Sequence, residues 1–237
     1  MTQSRLDKLN ASLSTGKLDS VILNPGPTLT YLTGLHFHLM ERPVVLLFAK
    51  DQIPALVLPE LELQKVADLP YKLQVFSYSE DPSEWDNAFR KAAQALGLDG
   101  KRIGVEPRQL RLLEFNYVKN AAPEADFHDA SEALSQLRLR KDKMEVEAMR
   151  CAVNNAQDAL EAMLPLVKIG MTEKELSSEL VIQLLKHGSE PEMPFAPIVC
   201  GGPNSANPHA SPTDRKLQAG DFFLVDWGAT YDGYISD

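Results

Sequence analysis

An α/β fold divided into two domains is predicted by three features of this 237-residue sequence. Short apolar runs alternate with amphipathic segments through the first half. A long amphipathic helix opens the second half. A charged segment, Arg138-Leu139-Arg140-Lys141, comes between them. Strands and helices interleaved in this way build a sheet covered by helices. The domains are drawn at residues 1–131 and 132–237.

Leu6, Leu9 and Leu13, at a spacing of three to four, predict a helix over Arg5 to Ser14 that Gly16 ends. Asp19-Ser20-Val21-Ile22-Leu23 reads as a strand, stopped by Asn24-Pro25-Gly26-Pro27. Val44 to Phe48 and Ile53 to Leu58 read as neighbouring strands around a turn at residues 49–52. Ser83 is placed to cap a helix whose stripe is Trp85, Phe89, Ala92 and Leu96, with Gly97 just past its end. Arg102 to Val105 is a further short strand.

In the second half, Met149, Val153, Ala156, Leu160 and Met163 predict one face of a helix running from Lys141 to Leu164. Thr172-Glu173-Lys174-Glu175 has the form of a capping box, and its helix carries Leu176, Leu180 and Leu184 up to Gly188. A proline-rich stretch follows. The run Asp221 to Asp226 then reads as a buried strand, and Tyr231-Asp232-Gly233 as a turn into a return strand, Tyr234 to Asp237. Because the chain stops within that return strand, it is expected to be a piece of a longer protein.

Apolar residues make up 44% and charged residues 24%, the balance of an ordinary globular protein. The net charge is −9 and neither half carries a basic excess, so nucleic-acid binding lacks its usual electrostatic drive. The longest apolar run, Val44 to Ala49, is far too short for a membrane span, and the N-terminus lacks a signal-peptide core. The expected location is the cytoplasm. Cys151 and Cys200 form neither a disulfide framework nor a zinc spacing.

Asp226 and Asp237 flank the predicted hairpin. With a turn centred on Tyr231-Asp232 they lie directly opposite each other. Centred on Asp232-Gly233, the turn makes them diagonal neighbours on one face, and only a loop of odd length separates them. Two such carboxylates repel unless a proton or cation lies between them, and hard divalent metals favour oxygen ligands. On spacing alone the pair also reads as a strand-end acid and a solvated terminal residue.

The segment Asp226-Trp227-Gly228-Ala229-Thr230-Tyr231-Asp232-Gly233-Tyr234-Ile235-Ser236-Asp237 resembles the first metal-ligand segment of the pita-bread metallopeptidases. The likeness is greatest to the Xaa-Pro aminopeptidase and Xaa-Pro dipeptidase (prolidase) branch. Phe195 to His209 resembles that family's approach to an active-site histidine, and Leu137 to Arg150 its catalytic-domain start. Asp19 to Gly34, with Tyr31-Leu32-Thr33-Gly34, resembles the creatinase-type N-terminal domain. The resemblance implies a mixed-sheet creatinase-like domain followed by an incomplete pita-bread α/β domain. It implies that Asp226 binds one metal, that Asp237 bridges two manganese or cobalt ions, and that His209 lies by the reacting amide. The substrate would be a proline-containing peptide and the complete protein a homodimer. The family completes its site with a histidine and two glutamates further along, so this chain alone is expected to be inactive. A creatinase-like hydrolase of a non-peptide amidine and a non-catalytic role stay open beside the peptidase.

Other residues read more simply. His36-Phe37-His38 has a spacing that can bind metal but also reads as a polar loop, and the resemblance points to substrate contact there. Gly201-Gly202-Pro203 reads as a turn, Cys151 and Cys200 as packing, Phe222 and Phe223 as core, and His128 and His187 as turn residues without visible partners.

Overall fold

The computed structural model describes residues 3–237; Met1 and Thr2, part of the N-terminal run read above, lie outside the described residues. The chain forms two compact units that divide between Arg140 and Lys141.

In the first unit, α1 (Gln3–Thr15), β1 (Ser20–Leu23), α2 (Pro27–Thr33), β2 (Val45–Ala49) and β3 (Ala55–Pro59) are followed by β4 (Gln74–Tyr78), α3 (Pro82–Leu96), β5 (Arg102–Val105), α4 (Leu112–Ala121), β6 (Asp126–Asp129) and α5 (Ser131–Leu139). Six strands form one sheet in the order β4-β3-β2-β1-β5-β6. β2 runs antiparallel to β1 and to β3, and the other neighbours are parallel, so the sheet is mixed. Every residue of β1, β2 and β3 is buried, because helices cover both faces of the sheet. One face, with Val21, Leu23, Leu46, Phe48 and Leu56, meets Leu9 and Leu13 of α1, Leu29 and Leu32 of α2, and Leu134 and Leu137 of α5. The other, with Ile22, Val45, Leu47, Val57 and Ile103, meets Trp85, Phe89, Ala92 and Leu96 of α3 and Val118 of α4. The helix from Ser131 to Leu139 packs on α1 within this unit, and the division falls nine residues after Ser131.

Two caps differ from expectation. Asp81, not Ser83, caps α3: its carboxylate accepts from Ser83 N at 2.9 Å, and Pro82 takes the first helical position. α1 turns out through Lys17 at φ 54, not Gly16, because Leu18 N closes back on Leu13 O at 2.9 Å and delivers Leu18 to the core.

Gly104 on β5 lies where a Cβ would come within 2.8 Å of both Ala130 Cβ and Leu18 Cδ1. Gly104→Val is therefore expected to cost the first unit about 1–3 kcal/mol of unfolding free energy. Urea denaturation would check this; an unchanged midpoint would show that the packing gives way freely.

In the second unit, α6 (Lys143–Met163) and α7 (Glu173–Lys186) pack together, and β7 (Ile198–Gly201) pairs antiparallel with β8 (Phe223–Asp226). β9 (Thr230–Tyr231) and β10 (Tyr234–Ile235) form a hairpin. The buried face of α6 is Ala148, Ala152, Ala156, Ala159 and Met163. This stripe is displaced from the predicted one: Met149 and Leu160 are half-buried and Val153 is exposed. Alanines let the helix axes approach closely, so Leu176, Leu180 and Leu184 of α7 fill the seam from the other side. β8 is half-buried along its length, not buried, and Phe222 is 83% exposed, outside the core assigned to it. Among the described residues β8 has a partner strand on one edge, in a two-stranded sheet, which leaves its residues partly open. Among the described residues no helix is long and apolar enough to cross a membrane.

Candidate active site

Asp226 ends β8, where it pairs with Ile198 of β7. The chain beyond it is tied down residue by residue. Trp227 Nε1 donates to the Ala156 carbonyl of α6 at 2.8 Å. Ala229 N donates to Ser236 Oγ at 2.9 Å, and Thr230 N to Ser189 Oγ at 3.1 Å. Thr230 Oγ1 donates to Glu192 O at 2.6 Å, and Tyr234 Oη to the buried Glu145 carboxylate at 3.0 Å.

The hairpin register pairs Tyr231 with Tyr234 and Thr230 with Ile235. Its loop is the two residues Asp232-Gly233, at φ 49 and 71, the pair of positive angles that a tight hairpin turn requires. The loop length is even, while Asp226 itself lies on β8, in a separate two-stranded sheet from the hairpin. Ser236 N bonds to Ala229 O at 3.1 Å, which carries the pairing on. An ideal Cβ at Gly228 would lie 3.5 Å from Asp237 Cβ, so Asp237 stands beside the residue two places after Asp226. Asp226 is half-buried and Asp237 exposed. Among the described residues neither carboxylate takes a hydrogen bond or ion pair from the protein. The described residues hold no cluster of three or more His, Cys, Asp or Glu side chains placed to bind a metal.

His209 is exposed on the loop between β7 and β8, with its own N–H bonded to Asn207 Oδ1 at 3.0 Å. The loop starts with a 3₁₀ turn, Gly202–Ala206. Gly201, Asn204 and Thr213, which bracket its first half, converge on Glu173, which is 1% exposed at the first position of α7. Burial acts to raise the Glu173 pKa, but hydrogen bonds from Gly201, Thr213 and Asn204 outweigh it and hold the carboxyl below its ordinary value. Beside it, Arg215 grips Asp221 through two bonds of 2.8 and 2.9 Å, which hold the Asp221 carboxyl low as well.

Sequence patterns mark Glu173 only as an acid in a helix's first turn, and its tertiary partners are invisible at that level. His128 lies on β6 with its Nε2 2.7 Å from Asp126 Oδ2, and His187 follows α7 with its Nδ1 2.8 Å from Gln183 O. Both therefore have the partners the sequence did not reveal. Cys200 is fully buried, and burial pushes its thiol pKa up, as packing requires. His36 and His38 are exposed on the loop after α2.

These features define a class: a six-stranded α/β/α domain followed by an α/β unit that includes the β9–β10 hairpin. Residues 5–140 match the Creatinase/Prolidase N-terminal domain, more than half of the chain, and the chain belongs to that family. Residues 147–237 match Metallopeptidase family M24. An Xaa-Pro dipeptidase of Lactobacillus helveticus is 30% identical over 237 residues, covering 98% of this chain and 63% of the relative. A dipeptidase structure from Pyrococcus horikoshii OT3 superposes with a TM-score of 0.86 at 30% identity, covering 98% of this chain and 63% of its own. A prolidase structure from Thermococcus sibiricus gives 0.88 at 25% identity, covering 100% and 64%. The chain thus spans about 63% of the length of these relatives. The α/β fold with its mixed sheet is that of the prolidases.

Proposed function

We propose that this chain carries part of the active site of a metal-dependent peptidase that hydrolyses the bond between an N-terminal residue and proline. The observation that carries the reading is the even, two-residue turn at Asp232-Gly233, which sets Asp237 beside Gly228, two residues from Asp226. Support comes from the metallopeptidase match over residues 147–237 and from relatives described as Xaa-Pro dipeptidase and prolidase.

Asp226 and Asp237 would hold a divalent ion, and their open carboxylate oxygens fit a hard cation such as manganese, with cobalt the other candidate. The chemistry such an ion supplies is Lewis-acid activation of water toward a carbonyl. Asp226 brings one charge on a strand end fixed by the Trp227–Ala156 bond. Asp237 would bring a second from the return strand. His209 presents an imidazole that can donate a hydrogen bond or proton to the reacting amide near neutral pH. The protein would act as a homodimer.

Two carboxylates leave most coordination positions to water, so the chain alone is expected to bind manganese weakly and to leave an Xaa-Pro dipeptide intact. Incubation of the purified chain with Ala-Pro, with and without manganese, tests this. Release of free proline that depends on the added metal would overturn the expected inactivity. No metal binding at all would overturn the assignment of the aspartates.

A further inference from the structure

We infer that Glu173 is a positioning residue, whose buried carboxylate closes the loop carrying His209 and ties that loop to the strand paired with Asp226. The inference rests on the reading of His209 as a group that faces the substrate.

Acids in the first turn of a helix ordinarily sit at the surface and answer to the helix's own N–H groups. Glu175 does this, accepting from Thr172 N at 2.7 Å as half of the capping box. Glu173 is in the same turn but buried, and its donors come from elsewhere in the chain. Gly201 N reaches its Oε1 at 2.9 Å, and Asn204 Nδ2 lies 3.0 Å from both oxygens. Thr213 reaches its Oε2 twice, through N at 2.9 Å and Oγ1 at 2.6 Å.

The order of these donors along the chain gives them their meaning. Gly201 is the last residue of β7, whose Ile198 pairs with Asp226. Asn204 and Thr213 stand on either side of His209. One carboxylate thus holds the end of the strand beside Asp226 and both ends of the segment that bears the histidine. The backbone of α7 continues the seam: Glu173 N bonds to Arg215 O at 3.0 Å and Lys174 N to Thr213 O at 3.2 Å. A buried carboxylate is costly unless every lone pair is served, and here all its service comes from this one loop and strand.

The test compares four variants of the chain by amide hydrogen exchange and by the His209 ring resonance. Glu173→Gln keeps the shape but turns one acceptor into a donor facing donors. It is expected to raise exchange over residues 204–213 about tenfold, leave the amides of α6 and α7 protected, and shift the His209 ring signal. Glu173→Asp restores the charge on a shorter stem and is expected to recover part of the protection. Leu180→Ala weakens the core of the same unit and is expected to raise exchange across it without singling out the loop. If Glu173→Gln does not fold, Thr213→Val keeps the backbone bond to Glu173 but removes the Oγ1 donor, together with the acceptor of Arg215 N and Asn204 Nδ2, and is expected to raise exchange at residues 207–213 severalfold. Unchanged exchange in the loop of whichever variant folds, or a Glu173→Gln effect as diffuse as that of Leu180→Ala, overturns the inference. Failure of the underlying reading looks different: Ala-Pro added with manganese would leave the His209 resonance of the unmodified chain unmoved, while the dependence of the loop on Glu173 persisted.

Discussion

Asp226→Asn is expected to lower the weak manganese affinity of the chain by about tenfold or more. Losing a group that merely supports a metal ligand costs roughly 10–100-fold, and losing a ligand costs at least as much. The effect is large here because the chain contributes two carboxylates to the site, and asparagine removes a charge while keeping the side chain's shape. Asp237→Asn is expected to do the same, since it removes the other of the two carboxylates. Asp232→Asn supplies the comparison: it removes an equal charge from the turn tip, and asparagine tolerates the positive φ of 49 at that position. Manganese binding followed by water-proton relaxation separates these cases. Equal losses in all three variants would mean that net charge, not a site, attracts the ion.

Phe89→Ala is expected to destabilise the first unit by about 3–5 kcal/mol. Phe89 is 1% exposed and stacks on Tyr117 with ring centres 4.9 Å apart and an interplanar angle of 14°. Tyr117 lies 6.3 Å from Trp85, which lies 5.0 Å from Tyr78, so a row of rings joins α3 and α4 to β4. Truncating the innermost ring leaves a cavity and removes the surface against which Tyr117 is aligned. Against a total domain stability of about 5–15 kcal/mol, this is enough to unfold a substantial fraction of molecules. In urea the midpoint should fall at constant slope. Leu112→Ala, at a side chain 71% exposed, is expected to change stability by no more than about 0.5 kcal/mol. If the two variants behaved alike, the core assigned to α3 and α4 would be wrong.

The parts of the fold legible in the sequence are those where one pattern dominates. β1, β2 and β3 are dense apolar runs because both faces of the sheet are covered, and α3 shows its stripe because large side chains make it. α2 escapes notice because it has seven residues, and Pro27 reads as a breaker although it serves as the helix's first residue. The expected α6 stripe matches at Ala156 and Met163 and lies one residue off at Met149, Val153 and Leu160, since methionine, valine and leucine outrank alanine in hydrophobicity while close helix packing selects alanine. Within the candidate site, the parity of the hairpin was open in the sequence and is settled as an even loop by Asp232-Gly233. Glu173 was beyond reach, because its meaning lies in donors 28 to 40 residues away.

The Trp227–Ala156 bond has an optical consequence. The sequence holds two tryptophans, and each unit contains one: Trp85, almost buried among the aromatic rings of the first, and Trp227, anchored to α6 in the second. Intrinsic fluorescence of a Trp85→Phe variant would come from Trp227 alone, so the emission of one indole, adjacent in sequence to Asp226, follows both the melting of its own unit and the arrival of a quenching paramagnetic ion.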